Sequence, residues 1–216
     1  MTPRIKSIFV AIEHDGIEFQ AGHYINLKIP GLEEMPRAFS ISSPPSEDKL
    51  IELNVALVEG GAATSWLHNE LKVGDELDFS GPYGRFFVRK SAQEPMIFIA
   101  GGSGLSSPKS MILDLFEHQE TRPITFVYGA RNQQELYYRD LFEELSDEHE
   151  NFTYLPVLSE EPEDSDWQGA RGLVHEAAKK HFDSFFGGHK AYLCGPPPMI
   201  DACITVLMQG RLFERD

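Results

Sequence analysis

Residues 191–200 read Ala-Tyr-Leu-Cys-Gly-Pro-Pro-Pro-Met-Ile, and no other stretch restricts the chain as much. Consecutive prolines have no N–H donors, and their φ is fixed near about −65°. They cannot continue a ladder, so the chain must turn rigidly there. The apolar residues Ala191–Leu193 before them read as the end of a buried strand, and a helical pattern follows. Cys194 is thereby presented at the carboxyl end of a strand, on a stiff loop beside a helix start. In open α/β sheets, ligands bind at that edge.

Periodicity divides the chain. The runs Arg4–Ile12, Tyr24–Ile29, Ala38–Ser42, Leu50–Val58, Glu76–Ser80 and Phe86–Val88 are short and rich in Ile, Val, Phe and Leu. Turn signals such as Asp15-Gly16, Pro30-Gly31 and Gly81-Pro82 separate them, which predicts an antiparallel barrel or sandwich. One helix, Thr64–Leu71, interrupts it. The polar stretch Arg89–Pro95 marks a change. Beyond it, predicted strands 96–100, 124–128, 152–158 and 190–194 alternate with predicted helices 108–118, 133–148, 173–182 and 199–208. Repeated β-α units imply a parallel sheet with right-handed crossovers.

Charge and cysteine usage exclude several function classes. With 19 basic against 34 acidic residues, the net charge of −15 argues against a nucleic-acid surface. It favours basic partner surfaces instead. No apolar run approaches the length of a membrane span, and the N-terminus lacks a secretory h-region. Cys194 and Cys203 are poorly placed to bridge each other, one on the proline loop and the other two turns into the next helix. Free thiols fit a reducing cytoplasm. Two cysteines fall short of the four thiolates of an iron–sulfur cluster, and the scattered histidines show no ligand spacing, so no metal is expected.

Two glycine loops and one strand carry the remaining chemistry. Ile97-Phe-Ile-Ala-Gly-Gly-Ser-Gly-Leu reads as strand, glycine loop and helix start, a form that lets backbone approach a phosphate. A tight strand–helix turn explains a bare glycine loop equally well. It is neither G-x-G-x-x-G, since Ser107 stands where the third glycine should be, nor a P-loop. Both this loop and Cys194 follow strands of one sheet, so both lie on the same edge. On the predicted strand Arg37-Ala-Phe-Ser40, Arg37 and Phe39 share a face. They suit a phosphate and a planar ligand, although a solvated arginine beside a core phenylalanine is the commoner arrangement. Gly60-Gly-Ala-Ala-Thr64 opens the first helix as a second phosphate-ready terminus, with a hydroxyl at its cap.

These stretches, in this order, resemble the ferredoxin–NADP reductase superfamily. Arg37-Ala38-Phe39-Ser40 is similar to its flavin motif Arg-x-Tyr/Phe-Ser, and Gly61-Ala62-Ala63-Thr64 to its G-x-x-S/T motif. Gly101 to Leu105 resembles its nucleotide loop, and Cys194 to Met199 its Cys-Gly-Pro-Pro-x-Met signature. Within the superfamily, Ser80-Gly-Pro-Tyr-Gly-Arg-Phe-Phe-Val-Arg, Gly102-Ser-Gly-Leu-Ser-Ser-Pro and Met208-Gln-Gly-Arg-Leu-Phe-Glu-Arg look most like reductase components of multicomponent aromatic oxygenases, above all phenol hydroxylase reductases. The resemblance implies an N-terminal antiparallel, flavin-binding β-barrel over residues 1–92 and an α/β Rossmann-like, NAD(P)H-binding domain with a parallel sheet over residues 93–216.

The resemblance also implies roles. Arg37 pairs with the FAD pyrophosphate, Ala38 belongs to the same cofactor-binding motif, Phe39 stacks on the isoalloxazine or lies against the ribityl chain, and Ser40 hydrogen-bonds near the flavin N5. Asn54, Val55 and Leu57 line the flavin, and Gly61, Ala62, Ala63 and Thr64 hold the pyrophosphate. Gly102, Ser103, Gly104 and Leu105 form the dinucleotide loop, while Gly129 and Arg131 border the adenosine half. Cys194 faces the nicotinamide, and Gly195 and Pro196 shape its pocket. Ser40 and Cys194 are the implied catalytic residues. The implied activity is that of an FAD-dependent NAD(P)H oxidoreductase. It takes a hydride from NADH to flavin N5 and passes single electrons to an iron–sulfur ferredoxin domain or oxygenase component. Arg131-Asn-Gln-Gln-Glu135 holds one base and one acid, too little positive charge for a 2′-phosphate. NADH is therefore expected and NADPH is the alternative. A free flavin reductase and a non-catalytic nucleotide-binding or electron-relay subunit are the competing readings.

Three departures stand beside the resemblance. Pro108 comes one residue later than the pattern places it, after Ser106-Ser107. No four-cysteine ferredoxin domain precedes the barrel. The flavin-covering aromatic residue expected a few positions past Glu214-Arg215 is missing at Asp216. These lead us to expect a fragment, or a stand-alone protein without the usual flanks.

Overall fold

The alternating apolar residues of the N-terminal third form five strands and a helix: β1 (Ile5–Ala11), β2 (Tyr24–Leu27), β3 (Arg37–Ser40), β4 (Leu50–Ala56), α1 (Ala62–Asn69) and β5 (Phe79–Tyr83). The computed structural model describes residues 2, 4–13 and 15–213. Glu214, Arg215 and Asp216, on which the reading of the C-terminal departure rests, lie outside them. Every pairing among these strands is antiparallel, β1 with β4 and β2 between β3 and β5. A bridge from Ile41 to Leu53 joins the two small sheets. Ile25, Leu27, Ile51, Leu53, Val55 and Leu67 form the buried core they enclose.

The rest of the chain alternates β6 (Met96–Gly101), α2 (Ser106–Glu117), β7 (Ile124–Ala130), α3 (Arg139–Glu148), β8 (Phe152–Leu158), β9 (Ala170–Arg171), α4 (Val174–His181), β10 (Lys190–Cys194) and α5 (Pro197–Gln209). The strands form one parallel sheet in the order β10-β6-β7-β8-β9. Buried on both faces, β6 shows the continuous apolar run expected of such a strand. Ile97, Ile99, Val127, Val157, Val174 and Ala178 pack one core of this unit. The antiparallel-then-parallel architecture matches the expectation.

Several local expectations are corrected. Phe86–Val88 forms no strand, and the fifth strand is displaced to Phe79–Tyr83. The predicted helix 133–148 breaks into a 3-10 turn, Gln133–Glu135, and α3. Tyr138 between them takes the left-handed φ of 56°, which a continuous helix cannot contain. The two-residue strand β9 has no counterpart among the predicted strands. Helix α5 starts at Pro197 rather than Met199, because a proline in the first turn forgoes only an N–H that would be unpaired there.

The chain divides into two compact units. Of the described residues, one holds those between 4 and 89 together with Ser106–Glu120; the other holds Thr2, Lys90–Leu105 and residues 121–213. Helix α2 thus belongs with the antiparallel strands, although in sequence it follows the first strand of the parallel sheet. No described helix is long and apolar enough to cross a membrane.

Candidate functional site

In the first unit, β3 carries Arg37, Ala38, Phe39 and Ser40 in register with Leu27, Asn26, Ile25 and Tyr24. Arg37 is exposed, and its guanidinium donates to the Met35 carbonyl at 2.6 Å. That bond fixes the head while leaving most of its five N–H groups for another acceptor. Phe39 is partly buried and packs against the barrel core, so only part of its ring is open to a planar ligand. Ser40 is half-buried at the strand's end.

The next motif is built of backbone. Gly61 is the N-cap of α1, without a side-chain cap bond and without an acidic residue in the first turn. The positive end of α1 is therefore left uncompensated by the helix itself, a setting suited to an anion. The expected capping hydroxyl is corrected. Thr64 lies within the helix, and its hydroxyl accepts from the Val58 N–H (3.1 Å) and faces the Gly61 carbonyl (3.2 Å). It holds the turn together, and a phosphate here would meet the N–H groups. Of the residues expected to line a flavin, Val55 is in the core and Asn54 turns its side chain to Ser42 and Ser7. Both can offer backbone. Leu57, just past β4, is half-buried.

In the second unit, two motifs far apart in sequence meet. Cys194 pairs in the sheet with Ala100, so the loops that follow β6 and β10 leave adjacent strands at the same edge. A Cβ on Gly104 would lie 2.3 Å from the Cys194 carbonyl oxygen and 2.8 Å from Gly195 Cα. Met199 fills the space beneath: a Cβ on Gly101 would come within 2.6 Å of its Sδ, and one on Gly195 within 2.6 Å of its Cε. Gly102 is a glycine for another reason, its φ of +54°, with open space where a Cβ would stand. Ser103 is half-buried and Leu105 buried, while Pro196 is exposed. The fit to a dinucleotide lies in this cradle of bare backbone at a carboxyl edge, which side chains at Gly102 or Gly104 would occupy or close.

Gly129 and Arg131 end up in structural contacts. A Cβ on Gly129 would lie 2.5 Å from Val174 Cγ1, so this glycine admits α4 onto the sheet. Arg131 forms a two-pronged pair with Glu135, at 2.9 and 2.8 Å. Neither Cys194 nor Cys203 is in a disulfide. Burial pushes the Cys203 thiol up to about 12.

Sequence reasoning missed two groups. Lys109 is buried, with Nζ 2.7 Å from Glu52 Oε2 and 3.2 Å from the Ser42 carbonyl, while Ser110 donates to the Ser43 carbonyl at 2.7 Å. The only signal was the polar alternation of Glu52 and Asn54 along β4, which ordinarily marks a solvated face. Tyr128 and Tyr137 were also missed; their hydroxyls reach the Gly102 carbonyl.

Comparison with known proteins supplies the family context. The chain matches a family model described as an oxidoreductase FAD-binding domain over residues 4–88 and one described as an oxidoreductase NAD-binding domain over residues 98–204. It is 59% identical over 216 residues to the phenol 2-monooxygenase reductase component DmpP of Pseudomonas sp. (strain CF600), covering 100% of this chain and 61% of that protein. To the xylene/toluene monooxygenase electron transfer component XylA of Pseudomonas putida it is 36% identical over 196 residues, covering 89% of this chain and 54% of that protein. The solved structure of the Amycolatopsis cytochrome P450 reductase GcoB matches with a TM-score of 0.89 at 30% identity, covering 99% of this chain and 64% of that one. The chain thus spans less than two thirds of each.

Proposed function

Because this chain belongs to the ferredoxin–NADP reductase superfamily, an oxidoreductase FAD-binding domain followed by an NAD-binding domain, we propose that it oxidises NADH and feeds single electrons to an iron–sulfur acceptor of an oxygenase system. The carrying observation is the contact of Gly104 with the Cys194-Gly195 backbone at the carboxyl edge of β6 and β10. A dinucleotide-binding unit of an α/β sheet needs such a crevice. Bound FAD would supply the redox chemistry, taking up a hydride and releasing electrons singly.

The chain's own residues bind, orient and exclude water. Arg37 and the first-turn N–H groups of α1 would hold the FAD pyrophosphate by charge and by backbone donors. Ser40 would hydrogen-bond at the flavin edge where hydride arrives, and the Asn54–Leu57 backbone would border the ring. Gly102 to Leu105 would carry the NADH pyrophosphate. Cys194, on a loop stiffened by Pro196, would set the position of the nicotinamide. NADH is favoured over NADPH because Glu135 already neutralises Arg131, the one base in its segment. Two cysteines outside any disulfide agree with a cytoplasmic location.

The test is the flavin spectrum. A yellow protein that bleaches on anaerobic NADH addition, and recovers when an oxidised ferredoxin is added, has the proposed activity. A colourless chain that reduces added FMN is a free flavin reductase, and a chain that does neither is a binding module. Either result overturns the proposal.

A further inference from the structure

Two buried phenols converge on one backbone oxygen of the glycine loop. Tyr137 Oη donates to the Gly102 carbonyl at 2.9 Å and Tyr128 Oη to the same oxygen at 3.3 Å. The residues are 3% and 0% exposed, and their rings meet edge-on with centroids 5.8 Å apart. They come from different elements. Tyr128 stands on β7, and Tyr137 lies between the 3-10 turn Gln133–Glu135 and α3. A carbonyl oxygen has two lone pairs, so both phenols can be accommodated at once. Burial holds the Tyr128 hydroxyl well above its usual range, so it stays protonated and able to donate.

Gly102 needs such a constraint. At φ +54° it has no side chain, and no atom stands within 4 Å of the place a Cβ would take. Packing on its own Cα therefore cannot fix the peptide that follows; its local support is the short 3-10 turn Gly102–Leu105 that it opens, and the two phenols add a hold from outside the loop. The carbonyl is what the protein grips. In a trans peptide the N–H of the next residue points opposite to the C=O. Holding the Gly102 oxygen on the buried tyrosine side therefore aims the Ser103 N–H away from the tyrosines.

We propose that Tyr137 and Tyr128 are positioning residues for the dinucleotide: they lock the Gly102–Ser103 peptide in the orientation that a pyrophosphate on this loop requires. The inference rests on the reading of the loop as the NADH site. Tyr137 also connects that loop to the segment proposed for the adenosine side. Its approach is set by the Gln133–Glu135 turn, which the Asn132 side chain caps by accepting from the Glu135 N–H at 3.2 Å. Glu161 ties the same turn down through the Gln133 N–H and Nε2 at 2.9 and 2.8 Å. The Arg131–Glu135 pair closes its base. One hydroxyl thus transmits the placement of residues 131–135 to the phosphate loop.

The experiment uses the FAD-loaded chain with Tyr137→Phe, Tyr128→Phe and the double substitution, each of which keeps the rings. KM for NADH and kcat are measured, with inhibition constants for ADP and for adenosine, and flavin content as a control. Losing one neutral hydrogen bond is expected to raise the NADH KM and the ADP inhibition constant about 5-fold in Tyr137→Phe. The longer Tyr128 bond should give a smaller rise, and the double variant about 10-fold or more. Flavin content, kcat and adenosine inhibition should stay within about twofold of wild type, because only the pyrophosphate contact is altered. Unchanged ADP inhibition in the double variant would overturn the inference. So would a parallel loss for adenosine and ADP, which would mean a loosened unit rather than a misaligned peptide. A wild-type chain that neither oxidises NADH nor responds to ADP would instead overturn the underlying reading, and this inference with it.

Discussion

Lys109 on α2 and Glu52 on β4 form a buried ion pair, Nζ to Oε2 at 2.7 Å, with side chains only 7% and 4% exposed. The Ser7 hydroxyl donates to the other Glu52 oxygen at 2.6 Å, and the Ser42 carbonyl takes a second Lys109 proton at 3.2 Å. Helix α2 is thereby joined to the antiparallel strands by charge as well as by packing. Removing one partner strands the other charge, which costs about 3–5 kcal/mol. Lys109→Met should therefore lower the urea midpoint sharply. Adding Glu52→Gln to it should recover much of the loss, because the amide still meets Ser7 and carries no charge. Equal destabilisation in the single and double variants would show that the pair contributes nothing specific.

The loop glycines should fail for different reasons. Gly104→Ala drives a Cβ into the Cys194 carbonyl, and backbone on both sides resists. Overpacking of this kind costs about 1–3 kcal/mol, and NADH binding should fall at least tenfold because the loop itself must move. Gly102→Ala meets no atom and carries only the left-handed penalty of about 1–2 kcal/mol. Unfolding curves together with NADH titrations separate the two.

The two thiols should differ in reactivity. Cys203 is 1% exposed, and its thiol is pushed up to about 12, so it should resist alkylation in the native chain. Cys194 is half-buried at the mouth of the proline loop. Mass spectrometry after iodoacetamide should find one modified cysteine in the native protein and two after unfolding, with NAD+ protecting the first. Cys194→Ala should slow hydride transfer about tenfold or more while leaving FAD content intact. Equal losses of both would mean that the loop is structural.

Stability should fall on the alkaline side. Burial raises the acid groups of Cys203, Tyr128 and Tyr154 in the folded chain. Above their unfolded values the unfolded state holds fewer protons than the native one, so stability is complete below about pH 8.5–10 and declines as pH rises beyond it. Thermal midpoints from pH 8 upward test this. The Tyr154 hydroxyl is buried with no hydrogen-bond partner among the described residues. Tyr154→Phe keeps the ring contacts with Phe126 and Phe142 and should leave neutral-pH stability equal or higher, with a shallower alkaline decline.

Cofactor choice should respond to Glu135. Replacing it with Gln frees the Arg131 guanidinium from its two-pronged partner. The kcat/KM ratio of NADPH to NADH should then rise about fivefold or more, since a charged hydrogen bond to a 2′-phosphate becomes available. An unchanged ratio would place the discrimination elsewhere.

Local chemistry made the ordered motifs, the strand from Lys190 to Cys194 and the switch from antiparallel to parallel architecture readable from the sequence alone. Proline runs, glycine loops and apolar periodicity each act over a few residues, so the chain displays them directly. Only the tertiary structure decided what those motifs touch. Glu52 and Asn54 alternate as a solvated face would, yet Lys109 of α2 pairs with Glu52 while Ser42 and Ser7 take up Asn54, and a strand cannot announce which helix will lie on it. The predicted helix at 133–148 had the right period, but Tyr138 turns left-handed and delivers Tyr137 to the Gly102 carbonyl. Gly104 looks like any phosphate-loop glycine in sequence, and its lack of a side chain is enforced by the Cys194 backbone ninety residues later. Such contacts depend on crossover connections that bring distant segments to one sheet edge, and their energies exist only once the sheet has formed.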